Sequence, residues 1–303
     1  MNNLLSKIKK GPTKLPPKIM LIGVEGVGKS TAGASMPNPV FICGESGLVG
    51  PQFADVPNYT PEKWQDVLDF VDALAAEPSG YKSLVIDTLD WIEPMLYAHV
   101  VNAQNKPEYK TIADIPFGRG IPLAQNEARK LIVRLDKVNA AGMNVLILSH
   151  SQQKTVKNPL GDDYDHFESS VNAKICGIFK QWVDEILFAR FEIFTETKNN
   201  RVRAYGGNMR IVETEHSAAW DAKNRYGLPE QMPLDMVAIM ETIAKGNGGD
   251  AKAAEIELRG LLERLPKDKA DKTLKWLETP RSVVDLQKVL NNVKNAIKEA
   301  ENG

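Results

Sequence analysis

The chain has 303 residues, 43% of them apolar and 25% charged, which allows one large folded core with a small appendage and excludes both a stapled miniprotein and a wholly disordered chain. Its 38 lysines and arginines balance 39 aspartates and glutamates. A histone-like mode of binding polyanions is therefore excluded, and any such contact must rely on a local patch of charge.

The first segment of the chain is basic. Residues 1–16 contain four lysines and no acid, and Pro16 with Pro17 gives a stiff bend. We expect a basic N-terminal arm, either a solubilising tail or a weak phosphate-binding element. No signal-peptide core, no membrane-spanning apolar run and no Cys-x-x-Cys pair occurs, so we expect a cytoplasmic protein without a membrane partner.

Short apolar segments alternate with amphipathic ones over the first 150 residues. We predict strands at 18–22, 40–43, 84–86 and 144–148, and helices from residue 29 to the prolines at 37 and 39, at 64–75 and at 123–140. This alternation predicts an α/β fold with a mostly parallel sheet, because each crossover helix returns the chain to the same edge.

The pattern changes after residue 183. Three segments predict strands of an antiparallel extension of the sheet, at 186–194, 201–205 and 209–214, with a turn at 199–200.

Two polar helices are predicted near the C-terminus, at 251–265 and 282–300, after a glycine-containing break at 245–249. We therefore expect a core domain at 17–244 and a small C-terminal helical region at 250–303.

A glycine-rich loop follows the first predicted strand and precedes a helix. Residues 23–30 read Gly-Val-Glu-Gly-Val-Gly-Lys-Ser and fit the Gly-x4-Gly-Lys-Ser/Thr pattern of a phosphate-binding loop. Glycines let main-chain amides wrap a polyphosphate, and the helix N-terminus adds positive potential. Lys29 would bridge the β- and γ-phosphates of ATP, Ser30 would bind Mg²⁺, and Thr31 would support the α-phosphate. The expected nucleotide contacts are Gly23, Gly26, Val27, Gly28, Lys29, Ser30 and Thr31.

Two acids follow other predicted strands. Asp87 ends the strand at 84–86, where a carboxylate would hold Mg²⁺ through water. Thr88 follows it, which excludes the ATPases that place the water-activating glutamate beside the magnesium aspartate. We nominate Glu45 to polarise the attacking water, because its strand at 40–43 should lie near the loop strand. A solvated loop acid is the alternative.

The strand at 144–148 ends in polar residues at the same edge. Ser149, His150 or Gln152 could sense the γ-phosphate by a hydrogen bond, and the sequence leaves the choice among them open. No Asn-Lys-x-Asp guanine motif and no ABC signature occurs, and His99, His166 and His216 lack metal-ligand spacing.

These motifs together resemble the RecA-like P-loop ATPases. Residues 223–227, Lys-Asn-Arg-Tyr-Gly, are similar to the Lys-Asn-Arg-Phe-Gly box of RadA and to the finger of DnaB-type helicases. Residues 114–120 and 222–229 resemble the bacteriophage AAA-type ATP-binding proteins that include the Sak-group single-strand annealing ATPases. The resemblance covers about residues 17–235. It implies a RecA-like core that assembles into a ring or filament with ATP between subunits. Lys223 and Arg225 would then reach the γ-phosphate bound by the neighbouring subunit.

Two segments combine cations with aromatic residues, as single-stranded DNA binding requires. The first, 105–122, contains Lys106, Lys110, Phe117 and Arg119. The second, 151–172, contains Lys154 and Lys157, but its acids outnumber its lysines. We expect both to be loops that leave the carboxyl edge of the sheet, and lids or subunit contacts are the alternatives.

The resemblance implies an ATP- and Mg²⁺-dependent oligomeric ATPase that acts on single-stranded DNA in phage recombination or annealing, in the host bacterial cytoplasm if the chain is phage-encoded. A small-molecule phosphotransferase and an ATP-gated scaffold with little turnover are the alternatives. The sequence does not decide whether the oligomer is a ring or a filament. It also does not decide between annealing and strand exchange or unwinding as the reaction.

Overall fold

A computed structural model gives the structure of the chain. It describes residues 15–44, 48–159, 161–198, 201–244, 255–262, 265, 267–277, 286, 289–290, 292–294 and 297. The catalytic prediction at Glu45, nearly all of the predicted basic arm, the turn at 199–200, the break at 245–249 and parts of both C-terminal helices lie outside these residues.

In the described part of the chain, ten strands form the sheet, and most of them are parallel. They are β1 (Lys18–Gly23), β2 (Pro39–Cys43), β3 (Asn58–Tyr59), β4 (Ser83–Asp87), β5 (Asn144–Val156), β6 (Tyr164–Ser169), β7 (Glu185–Lys198), β8 (Arg201–Glu213), β9 (Lys223–Asn224) and β10 (Gln231–Pro233). The main order is β10-β8-β7-β1-β5-β4-β2-β3. Strands β7, β1, β5, β4, β2 and β3 run parallel, and β8 and β10 extend the sheet in antiparallel fashion. The predicted α/β fold, a P-loop NTPase core with a mostly parallel sheet, is confirmed.

Helices connect the strands. They are α1 (Lys29–Ala34), α2 (Trp64–Ala76), α3 (Leu89–Asn102), α4 (Gly120–Ala140), α5 (Ala173–Trp182), α6 (Met236–Ala244) and α7 (Lys267–Leu277). The patterns at 64–75 and 123–140 predicted α2 and α4 within three residues of their observed ends. Helices α3 and α5 were not predicted. Pro94 lies inside α3 and its apolar residues do not keep to one face, so the periodic signal is weak there.

Helices cover both faces of the central part of the sheet, which explains why β1, β2, β4 and the first half of β5 are apolar. In β1, Met20 and Ile22 pack into one core with α2, α3, α4 and α5, whereas Ile19 and Leu21 pack into a second core with α1 and α6. Successive side chains of a strand point to opposite faces. The central strand is thereby fixed on both sides, and its carboxyl end is a rigid place for a site.

The second candidate DNA segment is not the loop that we expected. Strand β5 continues past Leu148 to Val156 and pairs antiparallel with β6, from Ser151 opposite Ser169 to Val156 opposite Tyr164. The prediction of a loop at 151–172 is wrong because this two-stranded ribbon is mostly polar and exposed on both faces. It therefore lacks the apolar alternation that identifies a half-buried strand.

The described residues of the C-terminal region form a separate hydrophobic cluster that includes Leu258, Leu262, Leu277 and Leu290. The predicted domain boundaries remain predictions. Within the described part of the chain, no helix is long and apolar enough to cross a membrane.

Candidate active site

The glycine-rich loop joins β1 to α1 at the carboxyl edge of the sheet. Lys29, the first residue of α1, is only 6% exposed. Its Nζ donates hydrogen bonds to the main-chain oxygens of Gly23 at 3.0 Å and Val24 at 3.1 Å. Burial lowers the pKa of Lys29, and the carboxylates of Asp90, Asp87 and Glu25 oppose this shift. A cation is therefore held inside the loop, where the phosphates of a nucleotide would lie.

The backbone conformation of Gly28 favours glycine, and the end of the Arg210 side chain lies close to it. Its φ of 100° lies in the left-handed region that favours glycine. A Cβ at this position would also lie 2.8 Å from Nη1 of Arg210. No local pattern in the sequence marks Arg210 as part of the site. Strand β8 brings it to the loop, because Arg210 lies opposite Phe191 of β7, two residues beyond the end of β1.

Asp87, the last residue of β4, provides a buried carboxylate beside this loop. It is 6% exposed, and its Oδ2 has no hydrogen-bond partner among the described residues. Burial raises the pKa of Asp87, against the opposing effects of the Ser30 hydroxyl and the Lys29 ammonium. A buried carboxylate oxygen without a donor, next to a hydroxyl, fits a hard divalent cation. Ser30 and Asp87 are the residues that would hold Mg²⁺, which when bound neutralises phosphate charge.

A second carboxylate, which the sequence analysis missed, lies in the same site. Asp90 accepts hydrogen bonds from the main-chain N–H of His150 at 2.9 Å and from Oγ1 of Thr88 at 3.0 Å, and its Oδ2 lies 2.6 Å from Nδ1 of His150. The register of β1 and β5 places His150 beside Gly23. The two side chains therefore form one wall of the site.

A cavity of about 640 Å³ connects these groups. Of the predicted residues it brings together Gly26, Gly28, Lys29, Ser30, Thr31, Asp87 and His150. Gly23 and Val27 belong to the same loop but are buried beneath it. Aromatic side chains of Phe53 and Trp91 also line the cavity, and a Cβ on Gly44 would lie 2.8 Å from Nε1 of Trp91. The cavity combines phosphate-binding amides, cations, carboxylates and flat apolar surfaces, which together suit a nucleotide.

The three candidate sensors occupy different places. Ser149 is buried, and its Oγ shares a hydrogen bond of 2.7 Å with Oγ of Ser169. Gln152 is exposed and its Nε2 donates to the main-chain oxygen of Ser169 at 3.4 Å. Only His150 of these three lines the cavity. The geometry therefore favours His150 as the sensor.

The expectation that the strand before Glu45 lies near the loop strand is wrong, because β5 and β4 separate β2 from β1. Cys43 nevertheless lies opposite Asp87 in the register of β2 and β4, and Gly44 lines the cavity. Glu45 is outside the described residues, so its role stays a prediction.

A comparison with family models gives one match, an AAA domain, over residues 15–226. The chain belongs to this family. The matched residues contain the whole cavity wall, from the glycine-rich loop to His150, and the match supports a P-loop ATPase domain that binds a nucleotide. A comparison with curated proteins finds no match.

Lys223 and Arg225, the predicted finger residues, lie at the other edge of this AAA domain. Strand β9 pairs with the start of β7, where Lys223 lies opposite Ile186. Nζ of Lys223 donates to the main-chain oxygens of Lys180 and Val183 at the end of α5, whereas Arg225 is 58% exposed and pairs with Asp184 at 3.3 Å. Within one chain neither reaches the cavity.

The candidate DNA residues of the AAA domain differ in their pairing. Lys154 pairs with Glu168 and Lys157 with Asp163 on the β5–β6 hairpin. Lys106, Lys110 and Arg119 form no ion pair with any residue in the described ranges. Lys106 and Lys110 line a surface cavity of about 510 Å³ together with Tyr109. The described histidines form no cluster that could hold a metal ion with other ligands.

Proposed function

We propose that the chain is an ATP- and Mg²⁺-dependent ATPase that assembles into a homo-oligomer and acts on single-stranded DNA, in the recombination or annealing reactions of a phage. The AAA domain and the cavity support the nucleotide part of this proposal. The DNA and assembly parts are supported by residues outside the cavity.

The observation that carries the DNA part is the exposure of Phe117. Its side chain is 98% exposed, and its φ of 59° is a strained, left-handed value for a bulky residue. Lys106, Lys110 and Arg119, the cations of the same segment, have no acidic partner among the described residues. Single-stranded DNA offers phosphates to such cations and a base face to the aromatic ring. This segment therefore fits a DNA contact better than the β5–β6 hairpin does.

The assembly part is supported by the position of Arg225. Strand β1 has six residues, so its two ends are separated by roughly 17 Å at about 3.3 Å per residue. Arg225 lies at the amino end of the sheet and the phosphate loop at the carboxyl end. A second copy of the chain can present Arg225 to the loop, whereas the same chain cannot. Cations supplied in this way stabilise the charge that develops during phosphoryl transfer.

Binding of labelled single-stranded DNA on filters, with a non-hydrolysable ATP analogue and over a salt series, tests the DNA part. We expect affinity to fall with salt, and we expect Phe117→Ala and the pair Lys106→Ala with Lys110→Ala each to weaken binding about tenfold or more. The matched control is Lys154→Ala with Lys157→Ala, whose cations are already paired. Absence of binding, or binding without a salt slope, contradicts the proposal.

Mixing two inactive variants tests the assembly part. Lys29→Ala removes the loop cation, and Arg225→Ala removes the proposed finger. If the finger acts between subunits, a mixed oligomer contains interfaces with an intact loop on one copy and an intact Arg225 on the next, so ATPase activity returns on mixing. No recovery contradicts a finger in trans. Full activity of a dilute monomer would instead support a small-molecule phosphotransferase.

A further inference from the structure

Asp90 lies in the first turn of α3, and donors surround its carboxylate. Oδ1 accepts from the main-chain N–H of His150, and Oδ2 contacts both Thr88 and Nδ1 of His150. Burial raises the pKa of Asp90, but the hydrogen bonds from His150, the charge on that residue and the hydroxyl of Thr88 together outweigh burial and hold this pKa below its usual range. An ionised carboxylate can only accept, so Nδ1 of His150 carries the proton in this contact.

The contact fixes the orientation of the imidazole ring. The His150 side chain is 39% exposed at the cavity wall, and two hydrogen bonds join the residue to Asp90. Nε2 has no partner among the residues that the structure describes. It is therefore the ring nitrogen that a ligand in the cavity can meet. A phosphate oxygen only accepts, so Nε2 must donate to it, and this contact requires the imidazolium form of His150, in which both ring nitrogens carry a proton.

We propose that Asp90 is a positioning residue that fixes His150 so that Nε2 meets the terminal phosphate of the bound nucleotide, and that this pair makes the candidate DNA segments at 105–122 and 151–172 respond to that phosphate. The second half rests on the proposed DNA function. The first half rests on the cavity alone.

The pair sits at the base of one candidate DNA segment and at the start of the helix that leads to the other. Helix α3 runs from Leu89 to Asn102 and leads directly into the segment at 105–122. Strand β5 continues from His150 into the β5–β6 hairpin, and the main-chain oxygen of His150 accepts a hydrogen bond of 2.9 Å from the N–H of Ser170, just past the end of β6. His150 is thereby connected to the base of the hairpin through its main chain and, through Asp90, to the first turn of α3.

Calorimetric titration with a non-hydrolysable ATP analogue and with ADP tests the positioning role without requiring turnover or DNA. The ratio of the two affinities measures the contact with the terminal phosphate. We expect His150→Ala and Asp90→Ala each to reduce this ratio about tenfold, the value of one charge-assisted hydrogen bond. The double variant should lose no more than either single variant, because Asp90 acts through His150. Losses that multiply would overturn the positioning role.

Two further variants separate positioning from folding. Asp90→Asn keeps the shape of the side chain and is used where Asp90→Ala fails to fold, as thermal unfolding will show. Asp66→Asn is the matched control: Asp66 also lies in the first turn of a helix, α2, and accepts two main-chain hydrogen bonds at 3.1 Å, from Glu62 and Lys63. The affinity ratio of Asp66→Asn should equal that of the wild type.

Filter binding of single-stranded DNA, with the ATP analogue against ADP, tests the response of the DNA segments. We expect wild-type affinity to depend on which nucleotide is present, and we expect Asp90→Asn to lose this dependence while it still binds DNA. A dependence that survives in Asp90→Asn overturns the coupling. If the wild type binds no DNA, the proposed DNA function and the coupling both fail, and the positioning role is still decided by the titration.

Discussion

Glu185 accepts a hydrogen bond of 2.7 Å from the main-chain N–H of Tyr226 through its Oε1 atom. Glu185 is fully buried, and its Oε2 has no partner among the described residues. The carboxylate thus lies directly beneath the turn that carries Arg225. Any charge on Glu185 acts on the part of the chain that we expect to face a neighbouring subunit.

Stability should fall as pH rises through the range in which Glu185 ionises. Burial raises the pKa of Glu185 from 4.5 to about 7 in the folded chain, although main-chain N–H groups of Tyr226 and Arg225 oppose the shift. Because the folded pKa is the higher one, folding favours the protonated form. The stabilisation is complete below pH 4.5 and is lost progressively up to about pH 7, by roughly 3 kcal/mol.

Urea unfolding of the wild type and of Glu185→Gln at pH 5, 6.5 and 8 measures this effect. As pH rises, the unfolding free energy of Glu185→Gln should increase relative to that of the wild type, by up to about 3 kcal/mol. Glu77→Gln, at an exposed position after α2, is the control. Parallel pH curves for the wild type and Glu185→Gln would show that the carboxyl does not contribute.

Lys223 and Arg225 should differ in their effect on stability. Lys223→Ala removes the cation that holds main-chain oxygens at the end of α5, so we expect a loss of about 1–3 kcal/mol. Arg225→Ala removes an exposed ion pair with Asp184, so we expect a loss below about 1 kcal/mol. Thermal and urea unfolding of both variants check this. Equal losses would refute the helix-end role of Lys223.

Gly28→Ala should abolish most nucleotide binding. An alanine there needs a strained left-handed backbone, and its Cβ displaces the end of the Arg210 side chain beside the loop. We expect at least a tenfold loss of affinity in calorimetric titration. Gly142→Ala is the matched control, because Gly142 has a φ of 95° and no atom near its Cβ position. It should lose about 1 kcal/mol of stability and keep wild-type affinity. An unchanged affinity in Gly28→Ala would contradict the loop assignment.

Asp87→Asn should separate stability from magnesium dependence. Burial raises the pKa of Asp87, so its ionised form lowers the stability of the fold at pH values above the unfolded pKa. The uncharged amide of Asp87→Asn should therefore not lower the unfolding free energy at pH 7. The variant should nevertheless lose the gain in ATP affinity that Mg²⁺ gives the wild type. ATP titrations in Mg²⁺ and in EDTA measure this gain in affinity, and urea unfolding measures the stability. A variant whose ATP affinity still responds to Mg²⁺ would remove Asp87 from the proposed magnesium site.

The sequence predicted the sheet and the phosphate loop because both leave local signals. Strands covered on two faces are continuous apolar runs, and the loop between β1 and α1 has a fixed spacing of glycines before Lys29. Residues brought together by tertiary structure leave no such signal. Asp90 and His150 are 60 positions apart, and Arg210 reaches Gly28 only through the pairing of β8 with β7.

The packing of Trp91 against the main chain of Gly44 gives the protein a natural optical reporter. The indole lines the cavity, whereas Trp64 is buried under the sheet, so intrinsic fluorescence should change when a nucleotide enters, without any attached dye.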